Sequence, residues 1–178
     1  MIVFLDFEAS SLAKASFPVE VAWVFENGAA RTSLIRPASG WDDWSTDAES
    51  IHGISKSLLE AKGVPVEVIA TEMVESLSGH QLYASAPSWD GKWLSVLLRT
   101  AGFPRHALRL NHSHAAFAEA ARAILGQDIA DVVVAELVSM VVKIMQPAVA
   151  SHRALPDATL ELERWRRIQK EAASLALE

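Results

Sequence analysis

The chain has 178 residues, about the length of one domain, and 51% of them are hydrophobic against 21% charged. That balance supports a buried core and excludes a disordered tail. A net charge of −6, from 16 basic and 22 acidic side chains, excludes a broadly basic protein that coats long nucleic acid by counterion release.

The charge deficit is uneven. Residues 1–98 hold 6 basic and 13 acidic side chains, net −7, whereas residues 99–178 hold 10 and 9, net +1, so an acidic site should draw on the first half. Cysteine is absent, which excludes disulfides and thiolate metal sites and favours a cytoplasmic location. The opening run, apolar up to Asp6, lacks the basic region and cleavage site of a signal peptide and is expected to be mature protein.

Residues 2–7 are apolar and partly β-branched, as in a buried strand, and Pro18–Phe25 is a second with Glu20 as its one charge. Asn27-Gly28 suits a tight hairpin turn, and residues 29–36 return as a third strand, completing an antiparallel meander. Residues 37–54 have no sustained period and are expected to form an ordered loop with a helical turn around 46–50. Helices are predicted over 55–61 and 66–78, the latter ended by Gly79. A short strand over 81–85 follows, then a helix over 90–100 whose Trp93, Leu94, Leu97 and Leu98 share one face.

Residues 105–110 are predicted as a strand and 114–125 as a helix capped by Ser113. The greasiest stretch, 129–145, is expected to be a buried helix stopped by Pro147; Asp131, Glu136 and Lys143 interrupt it, so it falls short of a membrane span. Pro156 suits the first turn of a last helix running to about Leu175. Together these elements predict an α/β fold, a mixed five-stranded sheet flanked by helices, in a single domain over residues 1–178.

The chemistry-bearing residues lie at element ends. Asp6 and Glu8 alternate with Phe7, so both carboxylates project from one face of the first strand. Such a pair is half of a Mg²⁺ site, or a solvated pair on an exposed face. Asp90 begins a helix, where an acid also serves as a cap or first-turn charge. His152 sits in a loop five positions before Asp157 at another helix start; a surface histidine and a capping acid are the alternatives.

In conjunction, these residues resemble the DEDDh class of DnaQ-like 3′–5′ exonucleases, across nearly the whole chain. Asp6-Phe7-Glu8-Ala9-Ser10-Ser11-Leu12 is similar to the first motif, usually Asp-x-Glu-Thr-Thr-Gly-Leu, and Pro18-Val19-Glu20-Val21-Ala22 to the second strand. Ile51-His52-Gly53-Ile54 resembles the recurrent loop motif, Trp89-Asp90 with Trp93-Leu94 the second motif, and His152 through Asp157 the third, His-x-x-x-x-Asp. Ala9, Ser10 and Ser11 depart from Thr-Thr-Gly, and Ala86 replaces an asparagine often found four before the acid.

The resemblance implies an RNase H-like fold, two divalent ions (Mg²⁺ or Mn²⁺) and release of nucleoside 5′-monophosphates from 3′ ends of single-stranded DNA or RNA or short oligonucleotides. It implies that Asp6, Glu8 and Asp157 hold the ion that binds the attacking water, that Asp6 bridges to a second ion supported by Asp90, and that His152 takes the proton. Ala9, Ser10, Leu12, His52 and Trp89 fall at substrate-side positions. A homodimer is expected by analogy. The rival readings are an oligoribonuclease-like or RNase T-like RNA trimmer and a noncatalytic nucleic-acid-binding subunit that kept the fold.

Other residues are read more plainly. Trp41 and Trp44 cover the fold rather than stack on terminal bases, and Trp89 and Trp93 belong to the core. His112 and His114 have a loop or capping role rather than binding zinc. Arg164, Arg166, Arg167 and Lys170, interleaved with Glu161, Glu163 and Glu171, form a solvated helix face.

Overall fold

The structure, a computed structural model, describes residues 1–149 and 151–177. Strand β1 (Ile2–Ala9) is central because its side chains bury on both faces: Val3, Leu5 and Phe7 on one, Phe4 on the other. Its antiparallel neighbour is β2 (Pro18–Phe25), which pairs antiparallel with β3 (Ala30–Leu34). On the other side β4 (Gln81–Ala84) runs parallel to β1, and β5 (Leu110–His112) parallel to β4. The resulting order is β3-β2-β1-β4-β5. At the β2–β3 turn the Asn27 side chain accepts from the Ala29 amide at 2.9 Å and Gly28 takes a φ of 89°, a conformation that glycine adopts without steric cost.

Helices cover both faces. The face carrying Val3, Leu5, Val21 and Trp23 packs on α3 (Val66–Leu77) and α4 (Pro87–Thr100). The face carrying Phe4 and Val24 packs on α5 (Ser113–Leu125), α6 (Asp131–Ile144) and α7 (Ala154–Leu175). Two short helices, α1 (Thr46–His52) and α2 (Lys56–Lys62), lie between β3 and α3. Beside them Phe17, Val19, Ile54 and Leu59 form a third cluster, on which Trp41 and Trp44 pack. Trp41 stacks on Phe17 at 5.0 Å between centroids, which is the covering role expected of it.

Four expectations need correction. Residues 105–109 form no strand: the Ala107 amide donates to the Pro104 carbonyl at 2.9 Å, making a turn, and Leu108 plugs the core. The ladder begins only at Leu110, since β4 offers just three partners, Leu82, Tyr83 and Ala84. The stretch predicted as a buried helix is amphipathic: Val134, Leu137, Val138 and Val141 are buried, but Val132 and Ile144 are 59% and 67% exposed. Apolar residues on both sides disguised its period. Ser113 lies inside α5; the cap is His112, whose Nδ1 accepts from the His114 amide at 3.1 Å. The turn expected around 46–50 is a full helix, capped by the Ser45 hydroxyl and ended by Gly53 at a φ of 69°. Among the described residues no helix is long and apolar enough to cross a membrane.

Gly63 joins α2 to the sheet where the Val64 amide donates to Leu34 and the Val64 carbonyl accepts from Arg36, both at 2.9 Å. A Cβ there would lie 2.3 Å from the Leu59 carbonyl oxygen and 2.6 Å from the Arg36 nitrogen, both rigid backbone atoms. Gly63→Ala is therefore expected to lose about 1–3 kcal/mol in urea denaturation. Gly91→Ala, on a helix with nothing within 4 Å of the added carbon, should gain up to about 1 kcal/mol.

Candidate metal centre

Asp6 and Glu8 leave β1 on the face that packs against α7. Opposite Glu8 in the ladder stands Glu20 of β2, which is 3% exposed. Its carboxylate accepts from Arg153 Nε at 2.9 Å, from Arg153 Nη2 at 2.6 Å and from the Ala154 amide at 3.0 Å. Buried carboxylates need such partners, and here the partners are the first residues of α7. The first turn of that helix, with Asp157 in it, is thereby tied to the strand pair bearing Asp6 and Glu8.

One oxygen from each of Asp6, Glu8 and Asp157 lies within 4.8 Å of the others. Asp90, in the first turn of α4, is 2% exposed and its Oδ2 has no hydrogen-bond partner. Burial raises Asp6 well above the carboxylate range, and Asp90, Glu8, Asp157 and Glu161 push it further. Burial, then Asp157 and Glu20, raise Glu8 to about 7. Asp90 is also raised to about 7 by burial, against the backbone amides of Ala86, Phe7 and Asp90, which lower it. Asp157 is raised by burial too, although the Ser151 hydroxyl, donating to its Oδ1 at 3.3 Å, and His152 pull the other way.

This donor set fits divalent cations. Hard carboxylate oxygens converge, one buried oxygen lacks any partner, and the mutual repulsion that raises these acids is what a cation relieves. His152 is exposed and has a φ of 49°, in the left-handed region. It stands close enough to Asp157 to favour that residue's ionised form.

The remaining sequence-predicted residues are spread around this edge. Ser10 is buried and its hydroxyl donates to Asp43 Oδ2 at 3.1 Å while accepting from the Phe17 amide. Ala9 is buried, whereas Leu12 is 70% exposed. His52 is buried; its Nδ1 accepts from the Ile54 amide at 3.0 Å and its Nε2 is unpartnered. Trp89 is 38% exposed rather than core and stacks on the buried Trp93. Beside Asp157 opens a cleft of about 410 Å³ lined by Pro147, Val149, Leu155 and Leu160. A cleft of about 700 Å³ between α5 and α6 is lined by none of the clustered acids.

Two features escaped the sequence reading. Glu20 was visible as a lone charge in an apolar strand, but its partner lies 133 residues away. Glu161 and Arg164 were assigned to a solvated face; they are 5% and 9% exposed and pair at 2.7 Å. Their spacing from Asp157, four and seven residues along a helix, places all three on one stripe and was the available signal.

No protein family model and no curated protein matches the chain. Solved structures do. Exonuclease I of E. coli in complex with a dT13 oligonucleotide superposes with a TM-score of 0.68 at 14% identity, covering 98% of this chain and 42% of that one. Exonuclease I of Methylocaldum szegediense gives 0.67 at 17% identity over 98% and 42%, and the zinc-bound E. coli exonuclease I–ssDNA complex 0.66 at 15% over 96% and 40%. The likeness shows the fold, the RNase H-like α/β arrangement of exonuclease I, and the chain spans about two fifths of those proteins' length.

Two outcomes are expected of the site. Glu8 titrates at about 7 when folded against an ordinary 4.5, so the folded metal-free chain binds more protons than the unfolded one between those values. Its stability should fall as pH rises from about 4.5 to about 7, and thermal melts should show the slope flattened in Glu8→Gln and Asp90→Asn. Glu20→Gln should cost about 2 kcal/mol, discounted for the half-exposed Arg153, and should reduce any Mn²⁺-induced rise in melting temperature.

Proposed function

We propose that this chain is a metal-dependent 3′–5′ exonuclease of DEDDh type, with residues 1–178 as one exonuclease domain acting on single-stranded 3′ ends or short oligonucleotides. The observation that carries the reading is the convergence of Asp6, Glu8 and Asp157 within 4.8 Å, with Asp90, whose buried Oδ2 lacks a hydrogen-bond partner, repelling Asp6. The fold shared with exonuclease I, solved in complexes with dT13 and dA16 oligonucleotides, supports it.

Asp6, Glu8 and Asp157 would hold one Mg²⁺ or Mn²⁺, and Asp6 with Asp90 a second. Such a pair of ions stabilises the attacking and leaving oxygens of an in-line phosphodiester displacement. The chain's own residues do the rest. His152, exposed at the rim and beside Asp157, accepts the proton of the attacking water. A new oxygen–phosphorus bond forms as the bond to the 3′ oxygen of the preceding nucleotide breaks. That oxygen takes a proton from solvent, leaving a shortened strand with a 3′ hydroxyl and a nucleoside 5′-monophosphate. The exposed Trp89 and Leu12 offer apolar surface for a terminal base, and the cleft beside Asp157 offers a second such surface.

The test is hydrolysis of 5′-labelled single-stranded DNA and RNA with Mg²⁺ or Mn²⁺. A ladder shortening from the 3′ end is expected, with activity abolished in Asp6→Ala and reduced by about 10²–10⁴ in His152→Ala. Preference for RNA would select the oligoribonuclease-like alternative. Binding of oligonucleotides without cleavage by the metal-loaded wild type would select the noncatalytic one and overturn the proposal.

A further inference from the structure

Below Asp157 on α7 lies a charged pair that the reaction above does not use. Glu161 and Arg164 are both buried; Glu161 Oε1 accepts from Arg164 Nη1 at 2.7 Å, and Arg164 Nη2 reaches Gln146 Oε1 at 3.3 Å. Arg164 Nε is buried without a partner, so the guanidinium is held chiefly through Glu161. An internal ion pair in such a place is costly, and well-packed apolar side chains of similar volume are often no less stable. The apolar cluster between α5, α6 and α7, with Phe117, Ala121, Ala158 and Leu162 in it, supplies the kind of surroundings such side chains need.

The pair is oriented. With a rise of 1.5 Å per residue, Glu161 sits about 6 Å and Arg164 about 10 Å along the helix from Asp157, so the negative end faces the acidic cluster. Glu161 lies one turn from Asp157 on the same stripe of α7 and is 5% exposed, so its charge is little screened from the cluster. Among acids that already repel one another, a further carboxylate is unfavourable until cations arrive. The unpartnered, buried Oδ2 of Asp90 is the independent sign that this cluster awaits a ligand.

We infer that Glu161 is a positioning residue that sets how tightly the acidic cluster holds divalent cations, with Arg164 as the counter-charge that pairs with it in the core. The inference rests on the metal-site reading above and concerns the field at that site. Glu161 touches no cation; it adds negative potential from one turn below, and Arg164 limits how much.

Direct Mn²⁺ binding, followed by loss of the free-ion electron paramagnetic resonance signal at alkaline pH, tests this without a turnover assay. Glu161→Gln leaves an unopposed Arg164 beneath the cluster and should weaken Mn²⁺ binding about tenfold. The double variant Glu161→Gln/Arg164→Met removes both charges and should lose less, about threefold. The order wild type, double variant, single variant is a charge effect; a pair that merely held helices together would make the double variant bind no better than the single. Equal affinity of wild type and Glu161→Gln, or a double variant that binds no tighter than the single, overturns the inference while leaving the metal site standing. If the single variant does not fold, as far-ultraviolet circular dichroism would show, a double variant with wild-type affinity overturns it. A wild type that binds no Mn²⁺ sinks both this inference and the site it rests on.

Discussion

The geometry of this molecule depends on one clamp, the grip of Glu20 on Arg153 and on the Ala154 amide. Strand β2 and helix α7 are separated by most of the chain; besides the clamp, α7 is held by packing of Phe4, Val24, Ala158 and Leu162 and by Arg166 Nη2 donating to the Glu26 carbonyl at 2.9 Å. Packing fixes depth, but hydrogen bonds to a buried carboxylate fix rotation and register. The clamp also spends its charge well. A negative group beside Glu8 would worsen the crowding among the acids, and Arg153 offsets it, lowering Glu8 while Glu20 raises it.

Around that clamp the site is a study in imposed repulsion. Four carboxylates are gathered where burial alone already disfavours their charged forms. A fold tolerates this when a ligand that relieves it is normally present, because binding free energy then offsets the strain. Glu161 stands one helical turn further into the core, where it is paired with Arg164.

Much of this was legible in the sequence. The strand at Pro18–Phe25 and the meander turn could be read to the residue, because alternation, turn chemistry and burial agreed there. The short helices and β5 were harder. Leu108 alternates like a strand residue yet serves as a single plug, and α6 carries valines on both its buried and its exposed sides. Asp6, Glu8, Asp90, His152 and Asp157 stand out through their resemblance to a family's motifs, and the structure brings Asp6, Glu8 and Asp157 within 4.8 Å. The clamp and the Glu161–Arg164 pair do not stand out, because nothing local distinguishes a buried charge from a solvated one until the partner across the fold is known.

The order of the strands carries a consequence for biosynthesis. The central strand, with its two acids, is synthesised well before its parallel neighbour, which arrives some 80 residues later, and before α7, which comes later still. A nascent chain therefore carries the acids of β1 long before the helix that completes their cluster exists. The acids of β1 meet Asp157 only once α7 has been made and has docked on the sheet.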